Sequence, residues 1–154
     1  MDNFINIYNN LVKLTRNKEL YKDFTKQDTF SDRLIFFLLH FAFFLKVFKK
    51  ESDKAILQEI YDYIFRQLEL SIREIGYSDQ SINKKMKDYL NVFYAMIDKV
   101  EKWDNISLEI KKSLLLNFLN NSADTDYLIN YFEEYYSKLL NNTLNYHIKG
   151  VVNH

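Results

Sequence analysis

The sequence predicts an all-α fold: one compact domain over residues 1–154, with about six helices, one of which is central and Phe-rich. The chain has 154 residues, no Pro and only two Gly. Because β-hairpins and Gly-rich phosphate loops need turn residues, this scarcity argues against both. The residues are 47% hydrophobic and include 13 Phe and 12 Tyr, which is enough for a core. Apolar residues also recur at steps of three and four, as on the buried face of a helix.

The first predicted helix covers residues 3–23. Four of its apolar residues recur at the helical period and define one face: Phe4, Tyr8, Leu11 and Leu14. Residues 25–31 form the first predicted loop. Thr29 or Ser31 is expected to cap the next helix, because a hydroxyl accepts a hydrogen bond from an otherwise unpaired amide of the first turn.

The second predicted helix, residues 31–49, is apolar on all sides over 34–45 except at His40. This apolar run is shorter than the roughly 20 residues that a membrane span needs. Two interpretations remain: a central helix buried by its neighbours, or a helix that contacts lipid or a hydrophobic partner. The presence of five other predicted helices, which could cover it, favours the first.

The third predicted helix runs from Ser52 to residue 75 and ends at Gly76, since glycine adopts the left-handed conformation without steric cost. We expect Gly76 to be required there, and Gly150, in the C-terminal tail, to matter little. The remaining helices are predicted at 80–103, 107–120 and 125–147. Asp79 or Ser81 is expected to cap the first of these.

Composition excludes several functional classes. The 21 basic and 21 acidic residues cancel, so no nucleic-acid partner is expected. The absence of Cys removes disulfides, thiolate nucleophiles and Cys-ligated metals. The N-terminus shows no basic region followed by an apolar one, so we expect a cytoplasmic bacterial protein.

No catalytic, cofactor or metal site is predicted, and we expect a protein that is not an enzyme. The histidines, His40, His147 and His154, lack the spacing of a helical metal site, and the last two lie near the C-terminus, where fraying is expected. His40 is either a buried histidine bonded to a carboxylate or carbonyl, or a haem or metal ligand. Without a second ligand at helical spacing, the first is favoured.

Charged residues on the third predicted helix are spaced so that they share one face: Asp62, Arg66, Glu69 and Arg73. Alternating ion pairs along this face are one interpretation, and such exposed pairs contribute little stability. A polar surface recognised by a partner is the other. The spacing alone does not choose between them.

Several blocks of the sequence resemble the ubiquinol–cytochrome c chaperone family. They are residues 70–79 (LSIREIGYSD), 82–87 (INKKMK), Phe93–Tyr94, and in the N-terminal half Tyr8–Val12, Arg16, Tyr21, Asp28–Thr29, Asp32–Arg33 and Leu39–His40. The resemblance covers about residues 5–103. The chain departs from the family pattern at Gln27, at Asp32 and at Ala95–Met96, where the family has Pro, Gly and Gly-Arg. The predicted helices within 107–147 carry no motif of this kind.

The resemblance implies a non-enzymatic assembly chaperone that binds newly made cytochrome b and supports assembly of respiratory complex III. The mitochondrial relatives work with a small partner and near the ribosomal exit, so a ribosome or a small helical protein is a candidate partner here, as is peripheral contact with the inner membrane. Ten matched residues are candidates for client binding: Asp62, Arg66, Arg73, Glu74, Gly76, Asp79, Lys84, Lys85, Phe93 and Tyr94. Three more are candidates for a structural or binding role: Asp28, Arg33 and His40.

Two other functional classes compete with this one. A membrane-surface or lipid-binding module would use the apolar helix 34–48 as an interfacial anchor, with Lys46, Lys49 and Lys50 at the headgroups. A helical enzyme acting on an apolar ligand in a Phe-lined pocket has no acid-rich motif behind it.

Overall fold

The computed structural model describes residues 4–22, 30–50, 52–119 and 124–150. The described chain is helical, and this confirms the predicted all-α class. The α-helices are α1 (Ile5–Thr15), α2 (Phe30–Phe48), α3 (Lys54–Glu74), α4 (Asp79–Glu101), α5 (Leu108–Leu119), α6 (Thr125–Leu140) and α7 (Leu144–Lys149). Short 3₁₀ helices at Lys18–Tyr21 and Trp103–Asn105 join α1 to the following segment and α4 to α5.

Helix α2 is the centre of the fold. It packs against α1, α4, α5 and α6, and its side chains from Phe36 to Phe44 are almost completely buried. Phe41 stacks on Phe93 of α4 at 5.4 Å between ring centroids, and Phe43 stacks on Phe132 of α6 at 5.3 Å. Apolar area removed from water in this way is the main stabilising contribution to a fold of this kind. The interpretation of this segment as a buried central helix is therefore confirmed.

Helices α3 and α4 are joined by a tight turn at Gly76, whose φ of +102° lies in the region that favours glycine. The Gly76 amide donates to the carbonyl of Arg73 at 3.0 Å, which ends α3. Helix α4 begins at Asp79 because the Ser78 hydroxyl accepts from the Ser81 amide. The predicted turn glycine is confirmed, whereas the predicted caps Asp79 and Ser81 are wrong, since both residues lie inside the first turn.

One predicted helix start and one further predicted cap differ from the structure. Helix α3 is capped by Asp53 instead of starting at Ser52: the Asp53 carboxylate accepts from the Ala55 amide at 2.9 Å. Ser31 lies within α2 and is not its cap. Thr29 and the predicted loop up to residue 29 lie outside the described residues.

The first predicted helix is shorter than expected. Helix α1 ends at Thr15, and the chain continues in the 3₁₀ helix Lys18–Tyr21. The Asn17 side chain accepts from the Glu19 amide at 3.1 Å and caps this second segment. A capping side chain competes locally with helix continuation, which the apolar period alone does not reveal.

The last predicted helix is divided into α6 and α7. The break follows Leu140, and the Thr143 hydroxyl accepts from the Tyr146 amide at 3.1 Å to start α7. His147 does not fray: its ring packs edge-on against Phe44 and Phe48 of α2. His154 lies outside the described residues.

Gly150, which the sequence predicts to matter little, lies against α1 in the structure. Gly150 ends α7 with a φ of +67°. A Cβ at this position would lie 2.6 Å from the side-chain carbon Cγ of Asn6. The Asn6 amide in turn donates to the carbonyl of Ile148 at 3.0 Å, which ties α7 to α1. Glycine therefore allows the close approach of the two helices.

Candidate functional site

The turn between α3 and α4 brings together several of the predicted client-binding residues. Arg73 Nη1 donates to Asp79 Oδ1 at 2.6 Å, so the two residues bridge the turn on either side of Gly76. Both side chains are exposed, and an exposed pair of this kind contributes about 0–1 kcal/mol to stability. A partner could therefore compete for either charge at small cost.

Exposed apolar side chains are close to this ion pair in the sequence. Leu70, Ile75 and Tyr77 are 46%, 52% and 41% exposed. The Lys85 ammonium lies 4.6 Å from the centre of the Tyr77 ring. Exposed apolar area beside exposed charges is typical of sites that bind other proteins. We call this set of residues the turn surface: Leu70, Arg73, Glu74, Ile75, Gly76, Tyr77, Asp79, Lys84 and Lys85.

Asp62, Arg66 and Tyr94 lie further along the same two helices. Asp62 precedes Arg73 by about 16 Å along the helix axis, at 1.5 Å per residue. The predicted ladder of alternating ion pairs does not form in the described chain: Asp62 accepts from Gln58 instead, and Arg73 bonds Asp79 across the turn. Asp62 and Arg66 remain exposed.

Tyr94 is 56% exposed and accepts a hydrogen bond from the Tyr61 hydroxyl at 3.2 Å, which links α3 to α4. Its sequence neighbour Phe93 is fully buried and stacks on Phe41. The Phe93 side chain therefore positions α4 against α2 and does not face a partner. The Phe-Tyr pair thus combines one core residue and one surface residue.

His40 is completely buried and uses both ring nitrogens within the protein. Its Nδ1 lies 2.6 Å from the Phe36 carbonyl, and its Nε2 lies 2.6 Å from the Tyr131 hydroxyl. Burial lowers the pKa of His40 to about 4, so the ring is neutral at pH 7. A neutral ring has one donor, which the carbonyl requires at Nδ1, so the Tyr131 hydroxyl donates to Nε2. This geometry supports the interpretation of His40 as a buried histidine satisfied by a carbonyl.

Burial also raises the pKa of Tyr131 and of its neighbour Tyr135, so both hydroxyls keep their protons. The Tyr135 hydroxyl donates to the carbonyl of His40 at 3.3 Å. These bonds join α2 to α6 deep in the core. In the part of the chain that the structure describes, no three His, Asp or Glu side chains are grouped so that they could hold a metal ion.

One further predicted residue lies at a groove that the sequence did not predict. Arg33, on the first turn of α2, lines a cavity of about 240 Å³ between α1, α2 and α3. Asp28 lies outside the described residues. The cavity lining is Tyr8, Val12, Thr15, Arg16, Arg33, Leu34, Phe37, Leu68, Ser71 and Ile75, and we call it the α1–α3 groove. Because its residues come from three helices, no single sequence pattern could reveal it.

A second cavity, of about 420 Å³, lies between α1, α6 and α7. Its polar groups are partly used within the protein. The Asn6 amide bonds the Ile148 carbonyl, the Asn142 amide bonds the Lys138 carbonyl, and the Lys138 ammonium pairs with Glu134 at 3.4 Å. Of these contacts, the bond from Asn6 to Ile148 attaches α7 to α1.

No described helix combines the length and the apolar character needed to cross a bilayer. The apolar residues of α2 from Leu34 to Val47 are largely buried against other helices. The Lys46 side chain is 9% exposed, and its ammonium donates to the Glu101 carbonyl at 2.8 Å and pairs with Asp104 at 3.3 Å. The interfacial anchor considered for this helix is therefore not available in this conformation.

Comparison with known families identifies one match. The family model described as ubiquinol–cytochrome C chaperone matches residues 22–127, which is more than half of the chain. The matched region contains α2 to α5 and the start of α6, and with them the whole turn surface. Neither the curated proteins nor the solved structures gave a match. The chain belongs to the ubiquinol–cytochrome c chaperone family.

Proposed function

We propose that this protein is a non-enzymatic assembly chaperone that binds newly made cytochrome b and supports assembly of respiratory complex III. The observation that carries the proposal is the family match over residues 22–127. The match implies a chaperone and a client protein. Cytochrome b as that client, and complex III as the product, are the specific parts of the proposal.

The chemistry of the turn surface supports a binding role. Its apolar side chains, Leu70, Ile75 and Tyr77, are each about half exposed. An apolar segment of a membrane protein exposes apolar surface to water when it leaves the ribosome. Contact with the apolar side chains of the turn surface removes that surface from water, which stabilises the complex. The exposed pair of Arg73 and Asp79 adds charge that can orient the client.

The weak ion pair also suits a transient complex. A chaperone must release its client, so its contacts have to be individually replaceable. Arg73 and Asp79 satisfy each other in the free protein and can exchange partners on binding. On this proposal the protein works in the bacterial cytoplasm, at the periphery of the inner membrane, where its client inserts. A ribosome or a small helical partner would share this location.

The test is capture of cytochrome b by the triple variant Arg73→Ala, Asp79→Ala, Lys84→Ala. All three side chains are exposed, so helicity measured by circular dichroism should not change. We expect capture to fall by about fivefold or more. The matched control removes an exposed ion pair at the other end of α4, Asp98→Ala with Lys102→Ala, whose charged atoms are 4.0 Å apart. This control should capture cytochrome b like the wild type, whereas undiminished capture by the triple variant would refute a role for the turn surface.

A further inference from the structure

The α1–α3 groove has an apolar interior. Half of its ten lining residues are aliphatic or Phe: Val12 of α1, Leu34 and Phe37 of α2, Leu68 of α3, and Ile75, which directly follows α3. The cavity volume of about 240 Å³ is below the range of roughly 300–1,000 Å³ that holds a drug-sized molecule. Its size therefore suits one or two side chains of a docked segment better than a complete small ligand.

The hydroxyl groups of the groove are already paired. The Tyr8 and Ser71 hydroxyls lie 3.1 Å apart and join α1 to α3. The Thr15 hydroxyl donates to the carbonyl of Leu11 at 2.7 Å. These groups need nothing from a ligand, so they do not favour a polar occupant over an apolar one.

The charge of the groove has one sign. Arg16, which follows α1, lines it, and the lining contains no Asp or Glu among the described residues. Arg16 is exposed, so its guanidinium can reach a partner at the edge of the groove. A guanidinium group binds a carboxylate through two parallel hydrogen bonds. The complementary occupant therefore has an apolar side chain close to a carboxylate.

Ile75 connects the groove to the turn surface. It lines the groove, it is 52% exposed, and it directly precedes Gly76. The left-handed Gly76 ends α3 at this point and thereby places Ile75 at the edge of both surfaces. A segment that covers the turn surface could continue over Ile75 into the groove.

We propose that the α1–α3 groove receives an apolar segment of the client that carries an acidic side chain. The proposal rests on the proposed function, because it takes cytochrome b as the client. An apolar side chain of that segment packs against Val12, Phe37 and Leu68, and its carboxylate bonds Arg16. The groove thus recognises a short apolar and acidic pattern, while the turn surface supplies further contact area.

The experiment measures capture of full-length, detergent-solubilised cytochrome b by the full chain. Ile75→Asp places a carboxylate at the edge of the groove, and we expect capture to fall by about tenfold. Arg16→Gln removes one charge, so capture should fall severalfold at about 0.05 M NaCl and depend less on salt up to about 0.5 M than capture by the wild type. Matched controls are Leu140→Asp, at an apolar residue of α6 that is 58% exposed, and Lys102→Gln, at an exposed cation. Both should capture cytochrome b like the wild type.

A second measurement addresses the acidic part of the pattern. Overlapping peptides that cover the host's cytochrome b are arrayed and probed with wild-type protein and with Arg16→Gln. The retained peptides should contain an Asp or Glu within an apolar run, and replacing that acid by its amide should abolish the difference between the two proteins. Retained peptides without any acid would overturn the charged part of the proposal.

The outcomes separate this proposal from the proposed function. If the wild type captures cytochrome b and Ile75→Asp captures it equally well, the groove proposal is refuted and the proposed function stands. If the wild type captures no cytochrome b, the proposed function fails, and the client assignment of the groove fails with it. If Ile75→Asp has lost helicity by circular dichroism, Ile75→Gln replaces it in the same assay.

Two other occupants would also overturn the proposal. Flotation of the wild type with anionic lipid vesicles, abolished by Ile75→Asp, would make the groove a lipid site. Self-association of the wild type in analytical ultracentrifugation, abolished by Ile75→Asp, would make it an interface between two copies of the chain.

Discussion

Replacing Gly76 by Ala tests how the turn between α3 and α4 is built. Gly76 has a φ of +102°, which L-residues rarely adopt. Among the described residues, no heavy atom beyond Gly76 and its two chain neighbours lies within 4 Å of a Cβ placed there. The substitution therefore meets no steric obstacle from a neighbouring helix, and its effect comes from the backbone conformation alone.

The expected loss of stability is therefore the cost of the backbone conformation alone. Holding an L-residue in the left-handed region costs about 1–2 kcal/mol. Replacing Gly by Ala also makes the unfolded chain less flexible, which stabilises the folded state by about 0.4–1 kcal/mol where Ala can adopt the conformation. Where φ is positive, the conformational cost outweighs this gain. With no clash to add, the free energy of unfolding should fall by about 1–2 kcal/mol. Gly76→Asn should lose less than Gly76→Ala, because asparagine tolerates positive φ better.

Urea unfolding followed by circular dichroism measures this change. For a protein of this size, the expected loss lowers the midpoint of thermal unfolding by about 2–8 °C. It also lowers the urea midpoint, while the dependence of the free energy on urea stays constant. The folded variant should still give a helical spectrum, since α3 and α4 keep their other contacts.

Two results would refute this reasoning. A Gly76→Ala variant as stable as the wild type would mean that residue 76 does not require a positive φ. A loss above about 4 kcal/mol would exceed the conformational cost and imply a steric contact that the structure does not contain. Equal losses for Ala and Asn would likewise contradict a purely conformational cause.

The remaining predictions concern the core and the C-terminal helix. Because the pKa of His40 is about 4 when folded against an ordinary 6.5, the unfolded chain binds more protons between these values, and stability falls as pH drops from about 6.5 to 4. Over the whole range, this difference in proton binding lowers the free energy of unfolding by about 3 kcal/mol. The urea midpoint of His40→Gln should therefore depend less on pH than that of the wild type, and an unchanged dependence would contradict a buried neutral His40. Tyr131→Phe removes the hydrogen bond to His40 Nε2. Because this nitrogen is then unpaired, the free energy of unfolding measured in urea should fall by about 1 kcal/mol. Gly150→Ala should accelerate amide hydrogen exchange over 144–149, since its Cβ would lie 2.6 Å from Asn6. Unchanged exchange in Gly150→Ala would contradict the close approach of Gly150 and Asn6.

The elements predicted well are those that local patterns determine. The apolar residues around His40 cover all sides of the helix, and only a central helix can bury all of its sides against other helices. In the structure, α2 is that central helix. Gly76 follows a long amphipathic stretch, and a helix ends there. Both features depend on residues close together in the chain, so a single sequence contains the signal.

The misplaced boundaries have a different origin. Helix α7 separates from α6 because the Thr143 hydroxyl caps a new helix and His147 packs on Phe44 and Phe48. The cap is short-range, but the choice between capping and continuing depends on a contact with a distant helix. The sequence does not predict the close approach of Gly150 and Asn6 for the same reason, since Asn6 lies at the other end of the chain.

The sequence predicts only the part of the site that is formed by residues close together in the chain. The family-like block at 70–79 lies on the turn surface, where Arg73 and Asp79 form one ion pair. The exposure of Tyr94 and the burial of Phe93 depend on how α4 rotates against α2, which adjacent aromatic residues do not disclose. The α1–α3 groove needs three helices in place before it exists, so it could be found only in the structure.

The most direct test of the account is deletion of the gene in its own host, followed by measurement of cytochrome b and complex III in the membranes. We expect loss of the haem b absorbance of complex III and of the cytochrome b polypeptide, with other respiratory complexes retained. Wild-type protein should restore both, whereas the variant Arg73→Ala, Asp79→Ala, Lys84→Ala should restore them only in part. Normal levels of cytochrome b and complex III in the deletion strain would contradict the central claim.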